Sequence, residues 1–137
     1  MEVVLVEPGG RPSPYLSRLV EDHPDLRVVA RCSSAAGAVQ AVRSLRRPRE
    51  VVALVHVDGG TEGFGLIRAV REGCPAVPLL GVGPAADGAT VSRALFFGAD
   101  GFVGRVSRVA LARAVRDAAE GHTVLAGVPG PAASGRR

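Results

Sequence analysis

The chain has 137 residues, of which 47% are hydrophobic and 22% charged, and its formal net charge is +4 at neutral pH. This length holds one hydrophobic core and excludes several independently packed domains. All the positive charge is arginine, since no lysine occurs, and residues such as Arg18, Arg43, Arg68 and Arg113 are scattered rather than run together with aromatics, so no direct nucleic-acid site is indicated. No apolar run reaches the roughly 20 residues of a membrane span, and Met1 to Glu7 lacks the basic lead of a signal peptide. A cytoplasmic protein with no membrane contact is expected. Cys32 and Cys74 stand apart without a CxxC or a nearby His pair, so both are expected as reduced thiols, and no metal or cofactor is expected.

In chain order, Glu2 to Val6 predicts a short buried strand, broken by Glu7-Pro8-Gly9-Gly10. Pro12 and Ser13 then start a helix with Leu16, Leu19 and Val20 on one face, stopped by His23-Pro24-Asp25. Leu26 to Ala30 is a second strand. Ser33-Ser34 caps an Ala-rich helix from Ala35 to Leu45, and Arg46-Arg47-Pro48-Arg49 is a basic turn. The run from Val51 to Val57 is almost uninterrupted in its apolar character, which places it at the centre of a parallel sheet, buried on both faces and closed by Asp58-Gly59-Gly60.

Thr61 is the expected N-cap of a third helix, with Phe64, Ile67 and Val70 inward and an end near Gly73. Val77 to Val82 is the fourth strand, Ala89 to Phe97 a helix stopped by Gly98, and Asp100 to Gly104 the fifth strand. Ser107 caps the last helix, which carries Leu111, Ala114, Val115 and Ala118 inward as far as Gly121. Strand starts recur about every 25 residues with a helical pattern between them, the mark of right-handed βα units. The expected fold is a doubly wound (βα)5 flavodoxin-like α/β three-layer sandwich with parallel strand order 2-1-3-4-5. Residues 1–125 form the domain, and the Pro/Gly/Ala-rich stretch 126–137 is expected to be a disordered tail.

Several stretches carry a family likeness. Val4-Leu5-Val6-Glu7, His23-Pro24-Asp25-Leu26, Glu62-Gly63-Phe64-Gly65-Leu66, Val77-Pro78 and Gly98-Ala99-Asp100-Gly101-Phe102-Val103 resemble, in order and spacing, the receiver domain of bacterial response regulators. Ala118-Ala119-Glu120-Gly121-His122 is similar to the receivers of LuxR-type regulators in particular.

The resemblance implies a phosphoacceptor aspartate ending the third strand, two acidic groups after the first strand to hold magnesium, a hydroxyl residue after the fourth and a lysine after the fifth. Counting back from Glu62, the acceptor position is Val55, which cannot be phosphorylated. Glu7 keeps one acid, while Pro8, Gly83 and Arg105 replace the second acid, the hydroxyl and the lysine. If the third strand ran further, Asp58 would be the acceptor; its plainer reading is an Asx-type turn with Gly59-Gly60.

His56 is a lone imidazole within the strand, close to Glu7 in the expected sheet. No nucleophile-base pair can be assembled, so an enzyme is not expected. Phe96 stands where the family helix carries an outward polar residue. With Arg93 and the region of Phe102, it marks the face of the fourth helix, fifth strand and fifth helix as an interaction surface. Phe102 itself, at the position of the family's switch aromatic, is expected to be packed.

The expected function is therefore that of a receiver-like signalling domain without phosphotransfer, acting as a homodimer or by docking a protein partner, or by binding a small molecule in the vacated crevice. A phosphorylatable receiver using Asp58, and a small-molecule-binding protein unrelated to two-component signalling, are the alternatives. Any DNA-binding output is expected to act in trans.

Overall fold

The structure, a computed structural model, describes residues 1–10, 13–45, 50–58 and 61–128. The predicted roles of Pro12, of the basic turn at 46–49, of Gly59-Gly60 and of the tail from 129 onward lie outside the described residues.

Strands β1 (Glu2–Val6), β2 (Arg27–Cys32), β3 (Val51–His56), β4 (Leu79–Val82), β5 (Gly101–Val103) and β6 (Val124–Ala126) alternate with helices α1 (Pro14–Val20), α2 (Ala35–Arg43), α3 (Glu62–Gly73), α4 (Gly88–Phe97) and α5 (Arg108–Ala119). The sheet order is β2-β1-β3-β4-β5-β6, and all neighbours are parallel. The expected order 2-1-3-4-5 is present, with β6 added at its edge.

Alternation along the strands divides the core into two layers. Val4, Val6, Val51, Ala53, Val55, Val57 and Leu79 pack toward α2, α3 and α4. Val3, Leu5, Val52, Leu54, Leu80 and Val82 pack toward α1 and α5. Residues Val51 to Val55 are fully buried, which is why no polar alternation interrupts that strand.

The sixth strand is the main departure from the sequence reading. Gly121, at φ +92°, turns the chain at the end of α5, and Val124 to Ala126 then pair with Gly101 to Val103. A Cβ on Gly101 would come within 2.1 Å of the Val124 carbonyl oxygen, so a glycine there allows the added strand to seat. The expected domain edge at 125 falls inside β6, and Val128 still packs on the core. As a result β5 is not an edge strand, and the outer face expected of the fourth helix, fifth strand and fifth helix is instead bounded by β6.

Helix ends follow the predicted capping with one exception. Ser13, Ser34 and Ser107 accept hydrogen bonds from Leu16, Gly37 and Ala110, respectively. Thr61 has helical backbone angles and makes no side-chain cap, so the expected N-cap there is not formed. Asp87 caps α4 through the Thr90 amide and hydroxyl, and these bonds hold its carboxyl below the ordinary carboxylate range.

Arg71 joins two loops, α3–β4 and α4–β5, at the amino ends of β4 and β5. Its guanidinium donates to the carbonyls of Gly98, Pro75 and Val77 at 2.7–2.8 Å and to Asp100 Oδ2 at 2.7 Å, while the same Asp100 oxygen accepts from the Leu79 amide at 2.9 Å. A lysine has the charge but not the planar fork, so it cannot serve carbonyls and carboxylate at once. Arg71→Lys is expected to cost about 2 kcal/mol, read as a fall of roughly 6–10 °C in the thermal midpoint.

Candidate functional site

The carboxyl ends of β1, β3 and β4 meet at the middle of the sheet, and the strand register decides which side chains share a level. Val6 is opposite Val55, the last pair of the β1–β3 ladder, so Glu7 and His56 follow at the next level, and Pro8 then enters a short 3-10 helix. His56 is opposite Val82, and the Val57 amide donates to the Val82 carbonyl at 2.8 Å, so Gly83 also stands level with Val57. Counting from Glu62 gives Val55, whereas the register with β4 sets Val57 level with Gly83, with Val55 one pleat behind. Loop length can change without disturbing a hydrogen-bonded register, so register is the firmer guide. Both residues are valines and both are fully buried.

Gly83 is a glycine for a local reason. A Cβ on it would lie 1.9 Å from the Val57 carbonyl oxygen, so β3 runs over the position where a hydroxyl side chain would begin. Behind it, the fully buried Phe102 ring fills the layer toward α4, and a Cβ on Gly81 would sit 2.9 Å from the ring. Phe102 therefore belongs to the core and adds nothing to the surface. The crevice expected to be vacant is occupied by Val57, its carbonyl and Phe102.

Glu7 points the other way. It is 4% exposed, on the α1 side of the sheet, where its carboxylate accepts from the Ser13 amide at 2.6 Å and from Arg31 Nε and Nη2 at 3.1 and 3.2 Å. Arg31 also donates to Ser17 Oγ at 2.7 Å. Glu7 raises the Arg31 pKa above its ordinary value, outweighing the opposing effect of burial.

A bulge in β2 sets this contact. Val3 pairs with Val28 but Val4 pairs with Ala30, so one extra residue enters β2 and Arg31 faces the same side as Leu5 and Glu7. The sequence reading did not anticipate Arg31; a strand ending at Ala30 left it in the loop. Magnesium needs several hard oxygens, and here the single carboxylate is already held by a guanidinium beside a proline and a valine, so this site does not fit that ion. Among the described residues no three His, Cys, Asp or Glu side chains are grouped to hold a metal.

The remaining predicted residues do not converge. His56 is half-buried on the Glu7 side, and its Nδ1 is shielded from solvent without a hydrogen-bond partner. Asp58 is exposed just beyond Val57. Arg105 is exposed and lines a cleft against α1 that does not include Gly83.

On α4, Phe96 is 78% exposed, as its predicted outward position requires. Phe97 lies against Phe64 with ring centroids 5.9 Å apart, and Arg68 and Arg93 stand over Phe97 and Phe64 at 4.4 and 5.4 Å. On β6, Leu125 is 54% exposed.

No protein-family model matches the chain, and no curated protein matches it in sequence. Solved structures do. A two-component response regulator of the LuxR family from Aurantimonas sp. SI85-9A1 is 23% identical with a TM-score of 0.70, over 92% of this chain and 89% of that one. The signal receiver domain of the putative response regulator NarL from Mycobacterium tuberculosis is 26% identical with a TM-score of 0.62, over 88% and 97%. The signal receiver domain of a modulated diguanylate cyclase from Desulfovibrio desulfuricans G20 is 22% identical with a TM-score of 0.62, over 87% and 93%. The fold is thus that of response-regulator receiver domains. No helix among the described residues is long and apolar enough to cross a membrane.

The close passage of β3 over Gly83 gives a paired test by chemical denaturation. Gly83→Ala, whose new methyl meets a backbone carbonyl, is expected to lose about 2–4 kcal/mol. Gly65→Ala, on the exposed side of α3 with nothing within 4 Å, is expected to gain about 1 kcal/mol from helix propensity.

Proposed function

We propose that this chain is a receiver-fold signalling domain that works by binding a protein, a second copy of itself or a partner, and takes no phosphoryl group. The observation that carries the reading is Val57. The side chain level with Gly83 at the tip of the central strand is a buried valine, which offers no side-chain oxygen to a phosphoryl group. The guanidinium on Glu7 supports the same reading, because phosphoryl transfer depends on a metal and preorganised cations at the transferring oxygens. The likeness in fold to response-regulator receivers supports a place in signal transduction. The docking surface is centred on Phe96 of α4 and bounded by Arg93 and by Leu125 of β6.

An exposed phenylalanine flanked by arginine suits an interface, where aromatic and Arg side chains carry much of the binding energy. The domain is not an enzyme in this reading, and any DNA-binding output acts through its partner.

Intact-mass measurement after incubation with acetyl phosphate and magnesium is expected to show no phosphoryl adduct. An adduct that disappears in Asp58→Asn would replace this reading with that of a working receiver using Asp58. For the surface, sedimentation of wild type is expected to show self-association, or co-sedimentation with its partner, that Phe96→Glu weakens at least about tenfold. An unchanged profile would remove α4 from the interface.

A further inference from the structure

Arg105 and its neighbours line a cleft that does not include Phe96. A cleft of about 380 Å³ lies where the start of α5 meets α1. Its apolar lining is Leu19, Val106 and the ring of Tyr15, and its charged lining is Arg18, Arg105 and Arg108. No carboxylate lines it, and among the described residues none of the three arginines forms an ion pair.

The cleft walls are held by bonds that leave guanidinium donors free. Arg108 Nη2 donates to the Glu21 carbonyl at 2.6 Å and Arg18 Nε to the Pro14 carbonyl at 3.3 Å, leaving each with further N–H groups. His23 Nδ1 accepts from the Asp25 amide at 3.0 Å, so Nε2 carries the proton and donates to the Arg108 carbonyl at 2.8 Å. The Tyr15 hydroxyl donates to the Gly104 carbonyl, which ties α1 to the end of β5. Burial pushes the Tyr15 pKa up against the pull of Arg105, so its hydroxyl remains a donor at neutral pH.

Three like charges around one opening repel, and a ligand with adjacent negative groups relieves that repulsion while making charge-assisted hydrogen bonds to several guanidinium forks. A lone carboxylate would engage only one fork. An apolar wall with an aromatic ring suits the organic part of such a ligand, and the volume falls within the range of small-molecule sites.

We propose that the α1–α5 cleft binds a small phosphorylated ligand carrying at least two adjacent anionic groups, of the class from inorganic diphosphate to a nucleoside diphosphate. The site shares no residue with the Phe96 surface or with the positions around Val57, so it stands or falls apart from the function proposed above.

Tyr15 is the only tyrosine and there is no tryptophan, so intrinsic tyrosine emission reports on this cleft. Titration of the full chain with inorganic diphosphate, which does not absorb at the exciting wavelength, is expected to change that emission saturably, with half-saturation at or below about 1 mM. Calorimetry with adenosine diphosphate then distinguishes an inorganic from a nucleotide ligand by which binds tighter. Arg18→Ala/Arg105→Ala is expected to weaken binding at least about tenfold, with an unchanged thermal midpoint because both side chains are exposed. Arg116→Ala, which removes one positive charge on the last turn of α5 outside the cleft lining, is expected to leave it unaltered. A non-saturating response, an equal loss with Arg116→Ala, or undiminished binding by the double variant would each overturn the proposal. So would binding of an acidic peptide in the cleft with neither diphosphate nor adenosine diphosphate taken up.

Discussion

The Arg31 guanidinium on the Glu7 carboxylate is the contact around which the carboxyl end of the sheet is arranged. It exists because β2 carries one residue more than β1 between Val28 and Ala30, and side-chain direction in a strand reverses with every residue. Without that bulge Arg31 would face α2 and α3, and Glu7 would be a buried anion answered by the Ser13 amide alone. With it, one carboxylate joins the end of β1, the start of α1 and the end of β2, and Arg31 reaches on to Ser17. A buried carboxylate is tolerated only when paired and hydrogen-bonded, and here both conditions are met by protein groups.

That arrangement divides the site between the two faces of the sheet. The single acid and His56 lie toward α1, while Val55, Val57, Gly83 and Phe102 lie toward α4. On the α4 side the backbone of β3 passes so close to Gly83 that only a glycine fits, and Phe102 closes the space behind. The space between Val57, Gly83 and Phe102 is packed. On the outside, Phe96 of α4 is exposed, and three arginines line a cleft at the junction of α1 and α5.

Much of the architecture was legible in the sequence because its signals are local. The apolar run from Val51 to Val55 marks a strand buried on both faces, and serines at 13, 34 and 107 announce helix starts through a hydrogen bond three residues long. That Pro8, Gly83 and Arg105 carry no carboxylate, hydroxyl or lysine amine is likewise a matter of residue identity. The outward position of Phe96 follows from two adjacent phenylalanines on one helix, since residues one apart point about 100° from each other.

Other features depend on chain segments far apart in sequence, and no local pattern encodes them. The level of Val57 comes from hydrogen bonds to β4, and counting along the chain through a loop of variable length gave Val55 instead. The bulge that turns Arg31 toward Glu7 is a mismatch between two strands, visible only when both are paired. Strand β6 pairs with β5 where Gly101 leaves room for Val124 to approach, a contact across more than twenty residues. Composition and periodicity determined the layers; tertiary register decided where each side chain points, because direction in a sheet is set by a neighbour's hydrogen bonds and not by the residue itself.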